Sequence, residues 1–118
     1  MNVVWSQMQS FEVSAVLFQE EGKWIIQGLQ YDICAQGESV EEATNAFDLA
    51  FVANVCASIH VNGEPLKGID AAPAKYWDMF RESRISVDAP QEPVRVTSAS
   101  SVPRVKPKLK LYERQVAA

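Results

Sequence analysis

Residues 11–43, FEVSAVLFQEEGKWIIQGLQYDICAQGESVEEA, decide the fold. Over 11–18 the alternation sets Phe11, Val13, Ala15 and Leu17 on one face, the period-two signature of a half-buried strand. Glu20, Glu21 and Gly22 form a polar, glycine-containing turn. Residues 23–29 (KWIIQGL) then resume an apolar, β-branched run, so the two segments read as an antiparallel hairpin. A third run at 31–36 (YDICAQ) alternates Tyr31, Ile33 and Ala35 and stops at Gly37. Three strands joined by such short connections predict a meander sheet.

A helix start follows. Ser39 is a good N-cap and Glu42, three residues on, completes an S-x-x-E capping box. Glu41 and Glu42 suit the positive end of the helix dipole. Ala43, Phe47, Ala50, Phe51 and Val55 recur at spacings of three and four, an apolar stripe that runs to about Ile59. Asn62-Gly63 is a left-handed cap pair that ends it. This predicts one long helix covering one face of the sheet.

After Pro65 the chain loops through 66–72, and Pro73 suits the first turn of a helix. Residues 75–84 (KYWDMFRESR) place Tyr76, Trp77 and Phe80 on one side of a second, shorter helix, expected to dock on the sheet edge or on the first helix. Residues 85–87 read as a short strand. From Ala89 the texture changes: Pro90, Pro93, Pro103 and Pro107 are four of the six prolines, and Ser98, Ser100 and Ser101 cluster among them, a linker composition. Residues 104–114 (RVKPKLKLYER) alternate Lys106, Lys108 and Lys110 with Pro107, Leu109 and Leu111, which gives an extended chain one basic and one partly apolar face. The expected fold class is α+β: a three- or four-stranded antiparallel sheet packed by one long and one short helix, with an extended basic C-terminal tail. The α+β domain spans 1–89; the Pro/Ser-rich linker and basic tail span 90–118.

At 47% apolar and 22% charged, the 118 residues have a globular composition rather than a disordered one. No apolar run approaches the roughly 18 residues of a membrane span. The opening MNVVWSQMQSFEV has neither a basic leader nor a long apolar core, which points to a cytoplasmic protein. The net charge of -4 conceals an asymmetry. Residues 1–90 hold 5 Lys/Arg against 13 Asp/Glu, a net of -8, and residues 91–118 hold 6 against 2, a net of +4. The acidic body repels nucleic acid, whereas the tail attracts it or another acidic surface.

The order strand, strand, strand, long helix resembles the HicB family of antitoxins, and the local wording agrees. The matching stretch is Gly22-Lys23-Trp24-Ile25-Ile26 for the second strand, then Asp32-Ile33-Cys34-Ala35-Gln36-Gly37-Glu38-Ser39-Val40-Glu41-Glu42-Ala43; the likeness covers roughly residues 11 to 60. Each piece also has a local reason: Gly37 for a turn, Ser39 and Glu42 for a cap, Ala43 for packing. The resemblance implies a partial RNase H-like fold, a small antiparallel sheet backed by a helix. It also implies an antitoxin that occludes a small basic, messenger-RNA-cleaving toxin (a HicA-like toxin). Two features depart from the family. Gln30-Tyr31-Asp32 replaces the usual Pro-containing turn, and the Pro- and Ser-rich residues after Pro90 are too few and too broken for the usual C-terminal DNA-binding domain.

Signals for catalysis are weak. Zinc wants close pairs of Cys or His, and here Cys34 and Cys56 stand apart with a single histidine in the chain, so no metal or cofactor is expected. Both cysteines read as small buried apolar residues. The acids fall on turns and helix starts as solvated charge, with Asp32 the best candidate for a buried one, and two-metal chemistry needs several acids to converge. His60 sits where a cation suits a helix end. The nucleotide-binding and metalloprotease motifs GxxxxGK[ST], GxGxxG and HExxH are missing. The expectation is therefore a non-enzymatic protein that works through surfaces. Trp5, Trp24, Trp77, Phe18 and Tyr76 exceed what one face of a three-stranded sheet buries, which makes Trp24, or else the open sheet edge, a candidate contact for a partner or a second copy. Lys106, Lys108, Lys110 and Tyr112 are the tail's candidates. The tail reads as a solvated segment, as a strand that pairs with another subunit or partner, or as a nonspecific nucleic-acid contact. The leading function is a HicB-like antitoxin or binding protein. The alternatives are a homo-oligomeric interaction module of the same fold and a tail-mediated nucleic-acid binder.

Overall fold

The computed structural model describes residues 12–88 and 107–113. The hairpin expected from the sequence joins β1 (Ser14–Glu20) to β2 (Lys23–Gly28), with Glu20 opposite Lys23 and Ala15 opposite Gly28. Glu21 (φ 52°) and Gly22 (φ 79°) are both left-handed, the two-residue turn whose twist matches that of the flanking strands. β3 (Cys34–Gly37) pairs antiparallel with β2. It is shorter than the alternation of 31–36 suggests, because the chain bends between the strands. Gln27 Nε2 stabilises the bend by donating to Asp32 Oδ1 (2.8 Å) and to the Gly28 carbonyl (3.0 Å).

α1 (Val40–Asn62) follows at once. Ser39 Oγ accepts from the Glu42 N–H (3.0 Å), and Glu42 Oε1 accepts in return from the N–H of Glu38 (3.3 Å), which closes the cap one residue earlier than the usual box. At the far end the N–H of Gly63 (φ 79°) donates to the Ile59 carbonyl (2.9 Å). Ala43, Phe47, Phe51 and Val55 pack on Ala15, Leu17, Ile26 and Ile33. Gly37 has no side chain because α1 starts on top of it: an ideal Cβ there would lie 2.5 Å from the Ala43 backbone nitrogen. Ser58, buried in α1, anchors the following loop by accepting from the Leu66 N–H (2.6 Å).

The remaining elements are α2 (Ala74–Glu82), β4 (Ile85–Val87) and β5 (Lys108–Leu111). Pro73 is the residue that caps α2 rather than the first within it. α2 docks on neither the sheet edge nor α1. Register separates the two sheet faces: Ala15, Leu17 and Ile26 point to α1, while Val16 and Phe18 point the other way, where Tyr76 stacks on Phe18 with ring centroids 6.1 Å apart. The helices therefore lie on opposite faces of the sheet. That is why β1 is buried on both sides, which a simple alternation does not anticipate.

The sheet corrects the expectation of three or four antiparallel strands. Five described strands run in the order β3-β2-β1-β5-β4, and the sheet is mixed. β5 comes from the basic segment expected to be an extended tail. It pairs parallel with β1, Ala15 beside Leu109 and Leu17 beside Leu111, and antiparallel with β4. The Lys108 N–H donates to Val13 O and the Tyr112 N–H to Leu17 O, each at 2.8 Å. The reason is that Leu109 and Leu111 alternate with lysines, so one face of this short strand completes the core beside Leu17 while the lysines face α2.

Candidate partner-binding surface

The hairpin turn and the β3–α1 junction fall at the same end of the sheet, because Glu20 pairs with Lys23 and Trp24 with Gly37. Glu20, Glu21, Glu38, Glu41 and Glu42 are thereby gathered along one rim, and all but the half-buried Glu20 are exposed. Lys23 stands among them. Its ammonium ion-pairs with Glu38, and the Glu38 hydrogen bond and charge, followed by Glu42, raise its pKa above the ordinary lysine value. The rest of the rim keeps an acidic excess in high-dielectric surroundings, a field that attracts a basic surface without a single strong contact. Each of these acids has a local role as a turn or cap residue, and the sequence reads them as solvated charge. Only strand register brings them together.

The proposed contact residues are dispersed. Trp24 is half-buried on the α1 face and packs against the core, near the rim but not projecting from it. Lys108 is exposed on the α2 side of β5. Lys110, on the same side, holds its ammonium 4.5 Å from the centre of the Phe80 ring, a cation–π contact within the fold. Tyr112 lines an open groove of about 560 Å³ with Glu82, Ser83, Arg84, Leu111 and Glu113. Lys106 lies outside the described residues.

Two readings of single residues are corrected. Cys34 and Cys56 are free thiols and exposed, not buried. Cys34 belongs to an edge strand and points away from α1, and Cys56 lies on the outer side of α1. Desolvation of the Cys34 sulfur, followed by the charges of Asp32 and Glu20, pushes its thiol pKa up. Asp32 is also exposed, and accepts from Gln27 rather than sitting buried. His60 is exposed in the last turn of α1. Among the described residues, no group of three or more His, Cys, Asp or Glu side chains is placed to hold a metal ion. No helix of the described residues is long and apolar enough to cross a membrane. No family model, curated protein or solved structure matches the chain.

Proposed function

We propose that this protein is a non-enzymatic, HicB-like binding protein that neutralises a small basic partner, in the manner of an antitoxin covering a HicA-like RNA-cleaving toxin. The acidic rim built from Glu20, Glu21, Glu38, Glu41 and Glu42 carries the reading. A protein that binds RNA presents positive charge around its active surface, and a complementary acidic rim speeds and orients docking on it. The antiparallel β1–β2–β3 meander backed by α1 is the arrangement a partial RNase H-like antitoxin would have, and supports the same reading.

The test uses the full chain, because β5 belongs to the sheet and its deletion would disturb the fold together with any contact. Tagged protein and a variant combining Glu20→Lys, Glu21→Lys and Glu41→Lys are used to capture partners from the native lysate. Those substitutions spare the capping Glu42 and the ion-paired Glu38. The expected result is a small basic protein, bound stoichiometrically, whose RNA cleavage stops when this chain is added. The charge reversal should weaken its binding by about tenfold or more at low salt. Absence of such a partner, or binding that charge reversal leaves unchanged, would sink the proposal.

A further inference from the structure

The acidic rim does not occupy its end of the sheet alone. β5 runs parallel to β1, and the register that sets Leu17 beside Leu111 carries it toward the end where β1 enters the hairpin turn. β4 pairs with β5 in the opposite sense, Ile85 across from Leu111, so Arg84 and Ser83 come beside Tyr112 and Glu113 at that same end. α2 finishes there as well, and the open groove of about 560 Å³ lies between these segments. Its volume is in the range of sites that take a small ligand or a partner's side chain, roughly 300–1,000 Å³. Adjacent strands are about 4.8 Å apart and β5 is two strands from β2, so the groove opens about 10 Å across the sheet from Lys23 and continues the rim.

The groove favours positive charge. Glu82 and Glu113 line it, both exposed, and neither is in an ion pair among the described residues. The C-terminal end of α2 adds to them. The Ser83 N–H donates to the Met79 and Phe80 carbonyls and its Oγ donates to that of Met79, whereas the last two carbonyls of the helix, those of Arg81 and Glu82, accept from no group among the described residues. Arg81 is tied to Asp78, so the negative end of the helix dipole acts with the two carboxylates. Arg84 is the opposing charge on the groove wall, Tyr112 supplies an aromatic ring, and Leu111 a half-buried apolar surface.

We infer that this groove receives an arginine side chain of the basic partner and anchors a contact whose wider field is the rim. The inference rests on the antitoxin-like reading for the partner and on the groove for the residue it takes. A guanidinium uses every part of the lining: its planar fork binds carboxylates in pairs, its face stacks on an aromatic ring, and its aliphatic stem lies along an apolar wall. A metal ion is less well served, because no group of three or more His, Cys, Asp or Glu among the described residues is placed to hold one. Arg84 separates a cation from an anion, since its removal helps the first and harms the second.

The test needs no partner. Amide proton–nitrogen NMR spectra of the full chain are followed as acetyl-Gly-Arg-Gly-amide is added, and again with the citrulline counterpart, which keeps the shape and lacks the charge. The expected result is saturable, millimolar binding of the arginine peptide that shifts the signals of Ser83, Arg84, Tyr112 and Glu113, with the citrulline peptide weaker by about threefold or more. Glu82→Gln combined with Glu113→Gln should weaken binding about threefold or more, and Arg84→Gln should strengthen it about twofold; all three side chains are exposed, so the fold tolerates the changes. An arginine peptide that leaves the groove signals in place or moves only those of the rim would overturn the inference. So would binding that Arg84→Gln weakens, which would mark the groove as an anion site. The lysate capture answers a separate question: groove binding with no basic partner captured fails the antitoxin reading and leaves the arginine site, and a captured partner with a silent groove does the reverse.

Discussion

Cys34 and Gly37 stand three residues apart on β3, and the strand's two faces give them opposite constraints. Cys34 points away from α1, where partial desolvation and then the Asp32 and Glu20 carboxylates disfavour the thiolate. Its folded pKa is raised, so as pH climbs the unfolded chain loses the thiol proton first. Any stability this thiol contributes is present below the unfolded pKa and declines as pH rises toward the folded one. In a Cys56→Ser protein the pH midpoint of Cys34 alkylation should lie above its value in denaturant, and Asp32→Asn should bring it part of the way back. Coincident midpoints would show that the environment does not act on the thiol. Gly37 points to α1, and the obstacle there is backbone: a Cβ would meet the Ala43 nitrogen at 2.5 Å and the Glu42 carbonyl carbon at 2.8 Å. Gly37→Ala should cost roughly 1–3 kcal/mol in urea unfolding, more than the ~1 kcal/mol expected for removing the Ser39 cap. An alanine protein as stable as the parent would mean that α1 does not begin on this strand.

At the scale of elements, β5 is the unexpected member. It is four residues long, yet it joins β1 to β4, and Leu109 within it is 5% exposed. Burying a leucine of this kind contributes about 1.5–3 kcal/mol, and both strand ladders depend on the same segment. A chain ending at residue 106 should therefore melt at a lower temperature and expose apolar surface to a dye such as ANS. A synthetic peptide of residues 104–114 should restore the melting temperature in a dose-dependent way, since anything that binds only the folded state stabilises it. An unchanged melting temperature after truncation would show that β5 contributes nothing to the core. α1 differs in kind. Its caps and inner stripe are local and legible.

For the whole molecule, the acidic rim predicts a response to salt. Binding of a basic partner at the rim weakens as ionic strength rises, because its charges are exposed and screened within about 10 Å at 0.1 M. The rim is set by the hairpin and the start of α1.

What could be read from the chain by itself was whatever is decided within a few residues: the Glu21-Gly22 turn, the Ser39 and Gly63 ends of α1, the inward stripe of Ala43, Phe47, Phe51 and Val55, and the short strand at Ile85–Val87. These follow from backbone geometry, capping and periodicity, which act locally. Tertiary structure alone decided that Lys108–Leu111 enters the sheet parallel to β1, because pairing across more than 90 positions leaves no local signal and an alternation of Lys and Leu suits a solvated segment equally well. It decided that α2 covers the opposite face, burying Val16 and Phe18 as well as Ala15 and Leu17, and that Cys34, Cys56 and Asp32 are exposed. It also gathered five carboxylates from two separate turns into one rim, since the register of β1 against β2 and of β2 against β3 is a property of the sheet and of no single segment.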